Sequence, residues 1–345
     1  MLRKLLVLAL LAAVVAADDG ASTESPSRTS GIDGYVPRKW LSYIGLAAFA
    51  GSGIGHSVQW GRNGWHRYML PLVLGMYFMA VGFGIRIYYA DSWDEPGLGV
   101  YIAMTMFILL SPCLYLAQDY MLLHRLADAM GEDVAKRCLF IRSSWITKIF
   151  VGADVFTFLL QASGGGMSAG SASMAQTGQK IALVGLFIQL FFFLGFCALL
   201  AVLIYRVRAN YPHLRYPPKP FRFGNGFGVF STDPIEDWRP LAWVLALTCG
   251  GIIVRSIFRL IEYAQGHDGA LKTTEAWFYL LDALPLWISM TLFCVIWPPR
   301  VLDGVEASTG EEPALPYQPY DRHASWSRVP EERVGMTKLQ SNGSY

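Results

Sequence analysis

The chain has 345 residues, 53% of them hydrophobic and 16% charged, with a mean hydropathy of +0.35 and a formal net charge of +2. A soluble domain this apolar would lack the polar surface to cover itself. The near-neutral balance excludes a nucleic-acid partner drawn by a basic field.

The first 17 residues read MLRKLLVLALLAAVVAA. Arg3 and Lys4 form a basic start, an apolar run follows, and Val15 and Ala17 provide small residues before Asp18. This is the shape of a secretory signal peptide over 1–17, with an uncleaved signal anchor as the alternative. Either leaves residues 18–39 outside, as a Ser-, Thr-, Asp- and Gly-rich segment expected to be disordered.

Seven apolar stretches follow, at about 40–59, 67–88, 98–122, 145–165, 180–205, 240–262 and 276–297. Each is near the ~20 residues that cross a bilayer at ~1.5 Å per residue. The expected fold is all-α: a polytopic seven-transmembrane-helix bundle over 40–297. The first stretch is the weakest, diluted by Gly51, Gly53, Gly55, His56 and Gln59. Lysine and arginine gather after spans 1, 3 and 5: Arg62 and Arg67; Arg125, Lys136, Arg137 and Arg142; then Arg206, Arg208, Arg215, Lys219, Arg222 and Arg239. The loop after span 2 is acidic, with Asp91, Asp94 and Glu95, and the loop after span 6 carries only Lys272. The positive-inside rule therefore puts the N-terminus out and the C-terminus in. The polar tail, 298–345, is expected to be disordered and cytosolic, which keeps its Asn342-Gly-Ser344 sequon from the glycosylation machinery. Cys113, Cys138, Cys197, Cys249 and Cys294 fall in no segment placed outside, so they read as packing residues.

Charges inside a bilayer cost ~2.5–3.5 kcal/mol each and mark the places to search for function. Span 2 carries Arg86; span 4 carries Asp154 and, seven residues on, Gln161; span 5 carries Gln189. Span 6 spaces Arg255, Arg259 and Glu262 along one stripe, and span 7 does the same with Glu275, Tyr279 and Asp282. Their depths agree, and their signs nearly balance. The expectation is mutual pairing around a polar, partly hydrated cavity in the outer half of the bundle. One reading is helix-to-helix ion pairs that fix the bundle; the other is a headgroup site for an amphiphile whose tail stays in lipid. Gly164, Gly165 and Gly166 read as a helix stop after span 4, or as a flexible gate. Pro112 can kink span 3, and Gln118 and Asp119 lie near its cytosolic end.

Several chemistries are missing. No GxxxxGK[ST] loop or GxSxG elbow occurs. His56, His66, His124, His213, His267 and His323 are scattered, which argues against a zinc site. Span 7 has no lysine for a retinal Schiff base. No cofactor and no metal is expected, and the chain reads as a non-enzyme.

The motif order resembles the fungal RTA-like family, the lipid-translocating exporters linked to aminocholesterol resistance. SPCLYLAQDYMLLHR (111–125) is similar to that family's Pro…Ala-x-x-Tyr…Arg segment, and DVFTFLLQASGGG (154–166) to its Asp…Gln-x-x-Gly-Gly signature. GLFIQ (185–189) adds to the likeness. RSIFRLIEYAQG and EAWFYLLDALP fit Arg-x-x-x-Arg-x-x-Glu…Glu-x-x-x-Tyr-x-x-Asp. The likeness covers about 35–300. Gly82-Phe83-Gly84-Ile85-Arg86 keeps the family's frame, but Met79 stands where it has glutamate. The resemblance implies a seven-helix protein of the plasma membrane or secretory endomembranes. It implies export or flipping of sphingoid bases, sterol-like amines and similar amphiphiles, with resistance to lipid or drug stress. In that role an amine would meet Asp154, Glu262 and Asp282. Arg86, Arg255 and Arg259 would steady those carboxylates or take a phosphate, and Gln161 and Gln189 would give neutral hydrogen bonds. The alternative is a seven-helix receptor or sensor that regulates lipid asymmetry through its third basic loop and tail.

Overall fold

The computed structural model describes residues 38–91, 97–170, 173–215, 221, 231–265 and 275–310. The expected signal segment, residues 18–37, Asp94, Glu95, Lys219, Arg222, His267, Lys272 and the tail from 311 lie outside the described residues.

The helices are α1 (Lys39–Arg62), α2 (Leu70–Asp91), α3 (Leu98–Ala129), α4 (Glu132–Cys138), α5 (Ser143–Gly170), α6 (Ala175–Asn210), α7 (Pro212–Arg215), α8 (Arg239–Gln265), α9 (Glu275–Val295) and α10 (Pro298–Gly310). No strand occurs among the described residues. Six helices, α2, α3, α5, α6, α8 and α9, are long and apolar enough to cross a membrane. The protein is thus a polytopic helical membrane protein. α1 falls outside that group because its glycines, His56 and Gln59 lower its hydropathy, although it runs 24 residues without a break.

Side-chain contacts fix the helix directions. Gly164 of α5 meets Gly178 of α6, while Gln161 meets Gly185, so these two helices run antiparallel. Thr248 of α8 reaches Asp119 of α3, and Arg255 reaches Ile108, again antiparallel. α1 is parallel to α9: Ser42 bonds Tyr279 near their starts, Ser52 bonds Thr291 further on, and Gln59 donates to Cys294 O near their ends.

The two ends of the bundle differ. Trp40, Tyr43, Tyr88 and Trp277 are exposed at one end; Trp65, Trp145, Tyr205 and Trp243 are exposed at the other. Amphipathic aromatics of this kind gather at both membrane–water interfaces. The second end also holds most of the described lysines and arginines that lie outside the bundle interior. There Arg206 donates to Arg137 O at 3.3 Å and stacks over Phe140 at 4.0 Å, and Arg125 lies over Tyr68 at 4.1 Å.

Two expectations change. The glycine run does not end the fourth span, because α5 continues to Gly170. A Cβ on Gly164 would lie 2.5 Å from Gly178 O and 2.6 Å from Ala182 N, so this glycine lets two backbones touch. Small residues serve that purpose where lipid supplies no hydrophobic drive between helices. Residues 298–310, expected as the start of a disordered tail, form α10 instead. Its Val301, Leu302 and Val305 are buried on one face. Arg300 donates to Asp233 O at 2.8 Å, its carbonyl accepts Ile235 N–H at 2.9 Å, and Thr309 donates to Ala129 O at 3.0 Å.

Candidate functional site in the helix bundle

α9 is not a plain α-helix. Residues Phe278–Ala283 form a π turn, in which Leu284 N–H donates to Tyr279 O, five residues back. The cause is two residues on. Pro285 has no N–H to give to Leu281 O, and its ring crowds that carbonyl, so the preceding turn widens.

The π turn changes where side chains point. In a regular helix Glu275, Tyr279 and Asp282 would share a stripe. A wider turn advances each residue by a smaller angle, and the stripe divides. Glu275 and Tyr279 face α1 and α2. Glu275 Oε2 accepts Arg38 N–H at 2.8 Å, its Oε1 pairs with Arg86 Nη2 at 3.3 Å, and Tyr279 bonds Ser42 at 3.1 Å. Asp282, fully buried, faces α8: Oδ1 pairs with Arg255 and Oδ2 with Arg259.

Helical spacing explains the α8 side. Arg255 and Arg259 are one turn apart, so both reach the same carboxylate. Arg259 also pairs with Glu262 at 3.1 Å, and Arg255 donates to Ile108 O at 3.5 Å. Phe278 joins the two clusters, with Arg86 at 4.9 Å and Arg259 at 5.4 Å from its ring centre. The sequence reading missed Phe278 and Ser42; Phe278 sits four residues before Asp282, one turn away on α9, which is the signal that could have found it.

A cavity of about 30 Å³ opens beside the α8 arginines, where α3, α5, α6 and α8 meet. Its polar wall is Arg255, Ser256, Arg259, Gln161 and Gln189; its apolar wall is Leu109, Pro112, Leu116, Leu186 and Ile252. That volume suits about one water molecule. Gln161 donates to Gln189 Oε1 at 2.7 Å across the α5–α6 seam. Arg259 Nε is a buried donor with no hydrogen-bond partner. The lining includes no carboxylate, so the expected wall of mixed sign does not form at this cavity; the acids stand behind the arginines instead.

Asp154 does not join the arginines. It is 2% exposed on α5, and neither carboxylate oxygen has a hydrogen-bond partner. Tyr120 and Cys113 of α3 are the titratable groups acting on it. The charges fixed which residues could pair; the order of helix packing decided which did.

A family model described as RTA1 like protein matches residues 72–304. Protein RTA1 of Saccharomyces cerevisiae is 32% identical over 229 residues, covering 66% of this chain and 65% of that protein. Protoporphyrin uptake protein 1 of the same yeast is 31% identical over 226 residues, covering 66% of this chain and 67% of its own. The probable lipid transporter atnI of Emericella nidulans is 26% identical over 261 residues, covering 70% and 61%. The matched region thus spans just under two thirds of Protein RTA1. No solved structure matches the chain. With the family model covering well over half of its length, the chain belongs to the RTA1-like family.

Proposed function

We propose that this protein moves amphipathic lipids (sphingoid long-chain bases, sterol-like amines or phospholipids) between membrane leaflets without converting them. The observation that carries the reading is the cavity with one guanidinium-and-amide wall and one apolar wall. Arg259, which lines it, also keeps a buried Nε donor without a hydrogen-bond partner, a group that a headgroup oxygen would satisfy once the helices part. The relative named a probable lipid transporter supports the same class of work.

In this reading Gln161, Gln189, Arg255 and Arg259 receive a hydroxyl or phosphate oxygen. Asp282 and Glu262 hold the arginines in place. Arg86, Glu275 and Tyr279 tie α9 to α1 and α2 at the same end. The cavity is too small for a headgroup, so the four helices around it must part during a cycle. We further read α1 as a seventh span, since it accompanies α9 from Ser42–Tyr279 to Gln59–Cys294. The basic end then faces the cytosol and the start of α1 the outside, in the plasma membrane or a secretory endomembrane.

The test is purified protein in liposomes carrying a fluorescent lipid in one leaflet. Transfer well above protein-free vesicles is expected, and Gln161→Leu with Gln189→Leu should cut it severalfold. Lipid that binds without crossing would assign the chain to the sensor class instead. A lipid changed in mass would assign an enzyme.

A further inference from the structure

The arginines inside the bundle, Arg86, Arg255 and Arg259, are all matched. Arg86 meets Glu275, and Arg255 and Arg259 meet Asp282 and Glu262. Two buried carboxylates are left over, Asp154 and Asp119, and no described cation pairs with either. A bare carboxylate in apolar surroundings costs several kcal/mol. Lipid-facing water cannot relieve it, because Asp119 is 0% exposed and Asp154 2%.

The surroundings tie the two acids together. Tyr120 of α3 acts on both acids and brings its hydroxyl side against Asp154, yet neither that buried hydroxyl nor the Asp154 oxygens close a hydrogen bond of ordinary geometry. Phe150 and Phe196 pack against the Tyr120 ring, with ring centres 5.2 and 4.6 Å from its own. The titratable groups acting on Asp154 are Tyr120 and Cys113, both of α3. Those acting on Asp119 are Tyr120, Cys197 of α6 and Cys249 of α8. Arg255 also reaches Cys113, but its guanidinium is committed to Asp282 and Ile108 O.

Asp119 carries its own sign of a bound proton. Thr248 Oγ1 lies 2.9 Å from Asp119 Oδ2 and 2.8 Å from Leu245 O. One hydroxyl hydrogen cannot point at both acceptors. With a proton on Asp119, the chain closes: the acid donates to Thr248, and Thr248 donates to Leu245 O. Asp119 Oδ1, Tyr120 OH and both oxygens of Asp154 remain as unmatched polar atoms from α3 to α5.

We propose that Asp154, Tyr120 and Asp119 form an intramembrane proton site that links lipid movement to a proton gradient. A proton from water forms an O–H bond on one Asp154 oxygen. After Asp119 has released its own proton to water, the Asp154 O–H bond breaks, its proton passes to the Tyr120 oxygen, and the Tyr120 hydroxyl proton passes to Asp119, leaving Tyr120 neutral. The coupling rests on the translocator reading; the proton site itself does not.

Two measurements separate these. Infrared spectra of the membrane-reconstituted protein should show a protonated-carboxyl stretching band near neutral pH. Asp154→Asn should weaken it, and Tyr120→Phe should shift its titration. If wild-type protein lacks the band, or Asp154→Asn leaves it unchanged in a folded sample, the proton site is refuted. Should Asp154→Asn not fold, the wild-type titration and Tyr120→Phe decide. In liposomes, an imposed pH gradient should drive lipid asymmetry, up to about tenfold per pH unit for one proton per lipid. A pH-sensitive dye inside should record proton entry when lipid is added, and Asp154→Asn should abolish that signal. Lipid transfer indifferent to the gradient would remove the coupling and leave translocation standing. No transfer under any condition would remove the translocator reading, with the proton site judged by the infrared band.

Discussion

Asp282 and Arg255 join α9 to α8 at the level where α9 widens into its π turn. Asp282 has no exposure, and Arg255 is 4% exposed. The pair therefore anchors two spans through charge in a place where packing alone gives little direction.

Asp282→Asn should be among the most damaging single changes. It leaves Arg255 and Arg259 without their shared counter-charge, and removing one partner of a buried pair costs ~3–5 kcal/mol. The fraction of protein that stays monodisperse in detergent after graded heating reads this out. Asp282→Leu combined with Arg255→Met should lose less than the sum of the two single changes, because it removes both members of one pair. Equal or larger losses would show that the pair is not acting as a unit.

Two neighbouring glycines should behave oppositely. Gly164→Ala drives a methyl group into Gly178 O and Ala182 N, which must push α5 and α6 apart at a cost of ~1–3 kcal/mol. Gly166 has nothing within 4 Å of an added Cβ. Gly166→Ala should gain a few tenths to ~1 kcal/mol from helix propensity. Thermal midpoints of the two variants should therefore move in opposite directions.

Gln161→Leu removes one amide of the α5–α6 pair. Interhelical hydrogen bonds in membranes average ~0.6 kcal/mol and reach ~1.7, so the bundle should survive. Lipid transfer in liposomes should fall much more than the thermal midpoint does. A parallel fall in both would make Gln161 a packing residue.

At the basic end, Asp237 gives a pH dependence. Burial pulls its carboxyl up, but the Arg239 side chain and the Arg239 and Phe221 N–H groups outweigh it and hold the carboxyl below its usual 3.8. A lowered folded value means stability present above 3.8 and lost as pH falls below it through the folded value. Hydrogen exchange at the start of α8 should rise in that acid window. Asp237→Asn should flatten the dependence and raise exchange at neutral pH.

Much of the bundle was legible because spans announce themselves by length and apolarity. Arg255, Arg259, Glu262 and Asp282 could be grouped for mutual pairing from helical spacing and depth. Asp154 could not be placed, since charge does not say which helix stands beside which. The Gly164–Gly166 run was ambiguous because glycine serves both for stopping a helix and for letting helices touch. α10 was hidden by its polar composition, although Val301, Leu302 and Val305 mark one face of a helix turn. The π turn leaves no periodicity to read; only Pro285 hints at it.

The aim of Asp282 is therefore a matter of residue count. Between Phe278 and Ala283 the backbone accommodates one amino acid more than a regular pitch needs. A chain shortened by one there would keep both ends of α9 docked yet swing the carboxylate off α8. Length variation at this point in relatives would accordingly separate proteins that clasp two arginines from proteins that leave them bare.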